Sequence, residues 1–498
     1  MIAASHPILS CDEALRLETK RFGGDEAKEW PAMEQAGRAV ATAVLQDFGE
    51  IGGFPPAGRV LVLAGKGHNG GDALLAARAV LERLPAARAD VHFVFGERDL
   101  RPLAVRAYRA LVQTAGNRLR VLPAEEFAQG YDLGLDGVFG FQFHPPAGPL
   151  VSALLARVNA LPIRLRAAVD LPSAGKFRAD FTYATGSVKA PILTEKNAGR
   201  LRYLDLGFFA GSERRTDRVL TTALLAPLAG LRPPQSDKRS QGHLLVLGGS
   251  RSYPGAVLMT VLAALRSGAG LVTAFVPESL APAFAARAPE AMWVGWPETP
   301  EGDLALEGRH LLSNRLSRAD ALVIGPGLGR EVETLALITE LVKTVRVPVL
   351  LDADALQPDI VRAVRTPLVL TPHAGEYARI AGKMALRTFG RKHRAVVVLK
   401  GPVTRVTDGA AIYHSFFGGP VLARGGSGDL LAGLTGGLLA QTPQEPLLAA
   451  CRGVVWHGLA ADGLARAYGQ TAVQTTQLLD FLPAALKTTF AEPTAVRG

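Results

Sequence analysis

Arg59-Val60-Leu61-Val62-Leu63-Ala64, followed at once by Gly65-Lys66-Gly67-His68-Asn69-Gly70-Gly71-Asp72, decides the fold of the first half of the chain. The first six residues are a short apolar run ended by glycine, the pattern of a strand buried on both faces. After the glycines the spacing predicts a helix from Ala73 to Leu84. Gly65, Gly67 and Gly70 fit G-x-G-x-x-G between strand and helix, which alone is a weak sign of nucleotide binding. Asn69 and Asp72 add polar groups to that loop, and no Lys-Ser/Thr pair follows as in a Walker A loop. A second unit of this kind opens at His243, with Leu244-Leu245-Val246-Leu247, then Gly248-Gly249-Ser250, then a helix through Arg266. Further parallel-type strands are predicted at 90–95, 167–170, 321–324, 347–352, 367–370 and 395–399. Strands alternating with helices predict α/β layers with parallel sheets in both halves.

A chain of 498 residues is too long for one ordinary domain. With 48% hydrophobic and 20% charged residues it builds large cores, which excludes a disordered protein. The stretch from Gly211 to Gln241 is rich in turn residues and poor in strand pattern, so the predicted domains are 1–217 and 218–498. Two cysteines, Cys11 and Cys451, make no disulfide framework, and the first residues lack a secretion signal pattern. The most apolar stretch, Ala256 to Val276, is broken by Arg266, Gly268 and Gly270, so no membrane span is expected. These readings predict a soluble, cytoplasmic protein. The net charge of +10 raises nucleic acid as a partner, yet the arginines are scattered and only 6% of residues are aromatic. No nucleic-acid partner is expected, and a basic protein that binds small phosphorylated ligands explains the balance as well.

Near the C-terminus, Gly425-Gly426-Ser427-Gly428-Asp429 opens the apolar run Leu430-Leu431-Ala432-Gly433-Leu434. Four small residues at a helix start expose backbone N–H groups, where the macrodipole favours an anion. Asp429 then stands as a general base beside an anion cradle, which is what phosphoryl transfer onto a hydroxyl requires. The plain alternative is a glycine-rich turn capped by Asp429. Four further loops follow presumed strands: Gly325-Pro326-Gly327-Leu328-Gly329, Asp352-Ala353-Asp354, Thr371-Pro372-His373 with Glu376, and Lys400-Gly401 with Thr404. Each has a structural explanation singly, but ligands bind at the carboxyl ends of strands in such sheets, so together they predict one site. In the first half, Asp136 and Asp170-Leu171-Pro172-Ser173 also stand at strand ends. Asn, Asp and Ser oxygens there suit a hard or large cation such as K⁺ or Mg²⁺, and turn capping is the alternative. His457 reads as a packed helix residue.

Asn69-Gly70-Gly71-Asp72, Asp136–Phe143 and Val169-Asp170-Leu171-Pro172-Ser173 resemble the three motifs of NAD(P)H-hydrate epimerases, and Met33-Glu34-Gln35-Ala36-Gly37 resembles their first helix. That resemblance implies a Rossmann-like three-layer αβα domain with K⁺ held by Asn69, Asp136 and Ser173. It implies a substrate site of His68, Asn69, Gly70, Gly71, Asp72, Gly140, Phe141, Gln142, Phe143 and Asp170, with Asp170 as the acid/base. The second half, from about Lys238 to Leu439 and including Tyr253-Pro254-Gly255-Ala256, is similar to ADP/ATP-dependent NAD(P)H-hydrate dehydratases. It implies a ribokinase-like three-layer αβα domain, Mg²⁺, and ADP as co-substrate. Ala256, Gly327, His373 and Asp429 would contact the hydrated dinucleotide, with Asp429 catalytic. Lys400, Gly401, Thr404, Gly425, Gly426, Ser427 and Gly428 would contact ADP. The implied activity is repair of NADH and NADPH hydrates by R/S epimerisation and dehydration of the S form, in a homo-oligomer. His68, Ala73 and Ala174 depart from the first family's pattern. Asp237, Arg239, Ser240 and Arg424 depart from the second's, and Arg424 is expected to add charge toward the phosphates. Two alternatives stay open: a ribokinase-like sugar or vitamin kinase, and an N-terminal domain that binds ligand without turnover.

Overall fold

The computed structural model describes residues 2–210 and 215–488. Part of the predicted connection, Gly211-Ser212-Glu213-Arg214, lies outside the described residues. The chain forms two compact units. One comprises the described residues of Met1–Ser5, Arg215–Leu464 and Gln470–Gly498, the other those of His6–Arg214 and Ala465–Gly469.

The smaller unit is built on seven parallel strands: Arg59–Ala64 (β1), Arg88–Phe93 (β2), Leu119–Val121 (β3), Tyr131–Gly137 (β4), Ile163–Val169 (β5), Phe181–Thr185 (β6) and Arg200–Leu204 (β7). Their order in the sheet is β3-β2-β1-β4-β5-β6-β7. The direction of winding reverses between β1 and β4, which opens a crevice at their carboxyl ends. Alternate residues of β1 serve opposite faces. Val60, Val62 and Ala64 join the core made by helices Glu26–Asp47, His68–Arg83 and Pro102–Ala115, whereas Leu61 and Leu63 pack on helix Pro149–Ala160. A strand read as continuously apolar is therefore the middle layer of three. A short parallel pairing of Ile8 and Leu9 with Val188 and Lys189 brings the helix Cys11–Phe22 into this unit.

The larger unit holds Asp217–Leu220 (β8), His243–Leu247 (β9), Leu271–Pro277 (β10), Met292–Trp296 (β11), Ala321–Ile324 (β12), Val349–Leu351 (β13), Leu368–Leu370 (β14), Ala395–Leu399 (β15), Thr404–Thr407 (β16) and Ile412–Ser415 (β17). They run in the order β11-β10-β9-β12-β13-β14-β15-β16-β17-β8. The pairs β15–β16 and β16–β17 are antiparallel and the others parallel. Leu245, Leu247, Leu322, Ile324, Leu351 and Val397 share one core with Leu337, Ile338 and Leu341 of helix Val332–Thr344. On the other face, helices Pro254–Arg266 and Ser427–Gln441 pack against each other and on β9. A Cβ on Gly433 would lie 2.0 Å from the Thr260 carbonyl oxygen, so only glycine allows that approach.

The expected strands are present, with ends shifted by up to four residues. Several elements were not anticipated: β3, β6, β7, β8, β10, β11, β16, β17 and the terminal pairing. The first glycine-loop helix starts at His68 rather than Ala73. Gly67 is its N-cap, so Asn69 to Asp72 are helical residues rather than loop. No helix among the described residues is long and apolar enough to cross a membrane.

Candidate active sites

Close backbone approach shapes the first site. A Cβ on Gly65 would lie 2.0 Å from the Val138 carbonyl oxygen, and one on Gly70 would lie 2.1 Å from that of Gly65. The helix His68–Arg83 is thereby drawn down onto the ends of β1 and β4, and it carries Asn69 to the neighbouring loops. Asn69 Nδ2 donates to the carbonyls of Phe139 (2.8 Å) and Val169 (3.1 Å). Asp136, wholly buried, accepts from the Ser173 hydroxyl (2.6 Å) and the Ser173 N–H (2.8 Å). The Ser173 hydroxyl in turn accepts from the Phe139 N–H at 2.9 Å. Burial pushes the Asp136 carboxyl up to about 6 against these bonds, so a cation beside it would be favoured. Asn69 and Ser173 thus meet at the Phe139 backbone, with Asp136 bonded to Ser173, and these are the residues that could hold a cation. Among the described residues no group of three or more His, Cys, Asp or Glu is arranged to hold a metal ion.

Above this group lies a cavity of about 340 Å³ lined by His68, Asn69, Asp72, Gly140, Phe141, Gln142, Phe143 and Asp170, all expected in the sequence, and by Glu18, Lys66, Arg101, Thr185 and Lys189, which were not. Gly70 and Gly71 do not line it; they serve packing, and a Cβ on Gly71 would lie 2.9 Å from Met33 Sδ. Asp170 sits with φ 67°, in the left-handed region that non-glycine residues seldom occupy. Its carboxylate accepts from Lys189 Nζ at 2.6 Å, and both side chains are buried. Burial raises Asp170 above the usual carboxylate range while Lys189 opposes the shift. Asp72 is held well above that range by burial, then by the charges of Asp170 and Glu18. His68 pairs with Glu29 at 3.1 Å at the rim.

In the larger unit the helix Ser427–Gln441 begins after Gly426, which has φ 90° and leaves the helix start without a side-chain cap. Asp429 is its third residue. Thr260 joins its backbone to the helix Pro254–Arg266, donating between the carbonyls of Ala256 (3.0 Å) and Asp429 (3.2 Å). A Cβ on Gly327 (φ 64°) would lie 3.1 Å from that of Ala256, so Ala256, Gly327 and Asp429 are neighbours. Lys400 Nζ lies 3.1 Å from where Gly428 would carry a Cβ, and donates to the buried Asp352 at 3.0 Å. Thr371 donates to the same Asp352 oxygen at 2.8 Å. Burial pushes the Asp429 carboxyl up to about 6, helped by the charges of Asp352 and Glu376 and opposed by Lys400. His373 pairs with Lys400 through the backbone and caps the helix Ala374–Ala381, its Nδ1 accepting from Gly375 and Glu376 N–H. Nδ1 is therefore an acceptor, which leaves the proton of the neutral ring on Nε2.

A family model described as NAD(P)H-hydrate dehydratase matches residues 244–484, and one described as YjeF-related protein N-terminus matches residues 31–190. The chain is 35% identical to the bifunctional NAD(P)H-hydrate repair enzyme Nnr of Moorella thermoacetica, over 91% of this chain and 92% of that protein. It is 37% identical to the enzyme of that name from Gloeobacter violaceus, over 91% and 92%. The chain belongs to the bifunctional NAD(P)H-hydrate repair enzymes. A solved structure of an ADP/ATP-dependent NAD(P)H-hydrate dehydratase from Bacillus subtilis is 29% identical over 54% of this chain and 97% of its own, with a TM-score of 0.46.

Within this family member some expected contacts take another form. The Arg424 guanidinium donates to the carbonyls of Gln470, Thr471 and Val473 and ties that loop down. The Ser427 hydroxyl donates to Leu422 O, so Ser427 offers an anion its backbone rather than its side chain. Thr404 bonds only weakly to Gly401 O, at 3.4 Å, and Gly401 is exposed. His457 is buried, and burial lowers its imidazole to about 4 against a hydrogen bond to the Ser427 backbone. Lys189 and Glu18 belong to none of the motifs legible in the sequence. Glu18 has a retrospective signal: Cys11, Ala14, Glu18 and Phe22 form one stripe of a helix, and an acid inside an inward stripe needs a reason.

Proposed function

We propose that this protein repairs hydrated nicotinamide dinucleotides in the cytoplasm, the smaller unit interconverting R and S hydrates and the larger dehydrating the S form with ADP. Water added across the dihydronicotinamide ring leaves a hydroxyl that departs poorly. Phosphoryl transfer from ADP converts it to a leaving group, and elimination of phosphate restores the double bond, releasing AMP. Asp429 would take the hydroxyl proton, while the N–H groups of Gly425–Gly428 and Lys400 stabilise the transferring charge. Mg²⁺, when bound with the nucleotide, would neutralise phosphate charge, and such ions need only one or two carboxylates. In the smaller unit Asn69, Asp136 and Ser173 would hold K⁺, and Asp170 would act at the hydrated carbon. The observation that carries the reading is Asp429 on an uncapped helix start, with Lys400 against Gly428 and Ala256–Gly327 alongside.

The test supplies mixed R and S NADPH hydrates with ADP, Mg²⁺ and K⁺ and follows the return of reduced-nicotinamide absorbance. Recovery of the whole mixture, faster than spontaneous epimerisation, is expected. A halt when the S form is consumed would remove the epimerase half. No nucleotide-dependent recovery, or a stable phosphorylated product, would replace the reading with a kinase.

A further inference from the structure

Asp170 alone does not complete an epimerisation. Inverting a carbon that bears a hydroxyl requires a proton delivered to the departing oxygen and another removed from the water that returns on the opposite face. The cavity that holds Asp170 also holds Glu18, from an element far away in sequence. The pairing of Leu9 with Lys189 fixes the helix Cys11–Phe22 beside the ion pair of Lys189 with Asp170. Glu18 lies seven residues after Cys11, on the same stripe as Ala14 and Phe22; it lines the cavity, and with Phe22 it lines a second one that shares His68, Asp72 and Thr185 with the first. A half-buried carboxyl on an otherwise apolar stripe costs desolvation energy, and a role at the cavity would account for its presence there.

On the reading of the smaller unit as an epimerase, we propose that Glu18 is the second acid–base residue and that Lys189 is the positioning residue that holds the Asp170 carboxylate as the base. Protonated Glu18 gives its proton to the hydroxyl oxygen, the C–O bond breaks, and the ring nitrogen lone pair forms a C=N bond. A water oxygen adds to the other face of that carbon, the pair returns to nitrogen, and Asp170 takes the proton of the added water. In the reverse direction the two carboxyls exchange roles. The electrostatics agree: burial raises Glu18 to about 7, with Lys189 opposing and Asp170 and Glu29 adding to the shift. Asp72 also faces it, and His68 faces Glu29. Two carboxyls in one cavity, of which only Asp170 is ion-paired with a buried lysine, are placed differently enough to divide acid and base work.

The experiment uses the full chain and separates R from S hydrate chromatographically without ADP, at pH 5.5 to 9 in K⁺. Wild type that does not exceed spontaneous epimerisation overturns the functional reading itself. If wild type epimerises, Glu18→Gln is expected to lower kcat by about 10²–10⁴ with little change in KM, and to abolish the alkaline limb. Lys189→Met is expected to move the acid limb to higher pH, because Asp170 then loses its cation, and Lys189→Arg is expected to restore it. Dehydration of pure S hydrate by each variant checks the integrity of the chain. Glu18→Gln within threefold of wild type with its alkaline limb intact overturns the role of Glu18, and an unmoved acid limb in Lys189→Met overturns that of Lys189.

Discussion

Asp429→Asn should make the larger unit more stable while disabling it. The substitution keeps shape and removes only the ionisable oxygen. In the folded protein the carboxyl is pushed from 3.8 up to about 6, chiefly by burial and then by the charge of Asp352. At 1.36 kcal/mol per unit, the ionised form costs the native state about 3 kcal/mol, and partial solvent contact reduces this to roughly 1–3. A carboxyl raised in the folded state binds its proton more tightly there, so the cost is present above about pH 6 and absent below the ordinary carboxylate value. Asparagine removes it. The expected gain is a few degrees in the unfolding transition of the larger unit at pH 7, at ~2–4 °C per kcal/mol, shrinking to nothing near pH 4. His457 bends the curve the other way, because its imidazole is lowered to about 4 and stability falls as acid forces the charge on it. That slope is common to both proteins and cancels in the difference. Calorimetry from pH 4 to 8, resolving the two units, measures the gain. Dehydration should fall by about 10²–10⁴ with epimerisation untouched. A variant less stable than wild type at pH 7, a pH-independent difference, or activity within tenfold of wild type would refute the reasoning.

Lys400→Met should do the opposite to stability, because Asp352 would keep only the Thr371 hydroxyl as a neutralising contact. Breaking such a pair from one side costs about 3–5 kcal/mol, and urea unfolding that shows under 1 kcal/mol would contradict it. Asp136→Asn should remove the K⁺ stimulation of epimerisation, and in wild type that stimulation should fade as pH falls through about 6, where the carboxyl protonates. KCl titrations at pH 5.5 and 7.5 check this, and equal stimulation at both would count against Asp136 as a ligand. Arg424→Leu should weaken the larger unit by about 1–3 kcal/mol through three abandoned carbonyls, yet leave the KM for ADP nearly unchanged. A tenfold rise in that KM would return Arg424 to the phosphate site.

What was legible in the sequence was whatever the backbone advertises locally. Arg59–Ala64 and His243–Leu247 are continuous apolar runs, so their burial on two faces could be read without neighbours. The glycines of both loops were equally legible, since Gly65 and Gly426 stand where a side chain would collide or φ is positive. The start of the first helix was not, because His68 to Asp72 look like loop until Gly67 caps them and Gly70 seats against Gly65. Strands β7 and β17 were hidden by polarity. Arg202 is buried against Asp47 and Glu50, and His414 against Asp217, and these partners come from segments distant in sequence. The same rule governs the sites. Burial raises the Asp429 carboxyl, with Asp352 and Glu376 adding to the shift and Lys400 opposing it, and burial raises Asp170 against Lys189. A motif can therefore name the acid or base, but the charges that set its proton affinity arrive on other strands and helices. Residues such as Glu18 and Lys189 come into view only when the fold has brought them beside it.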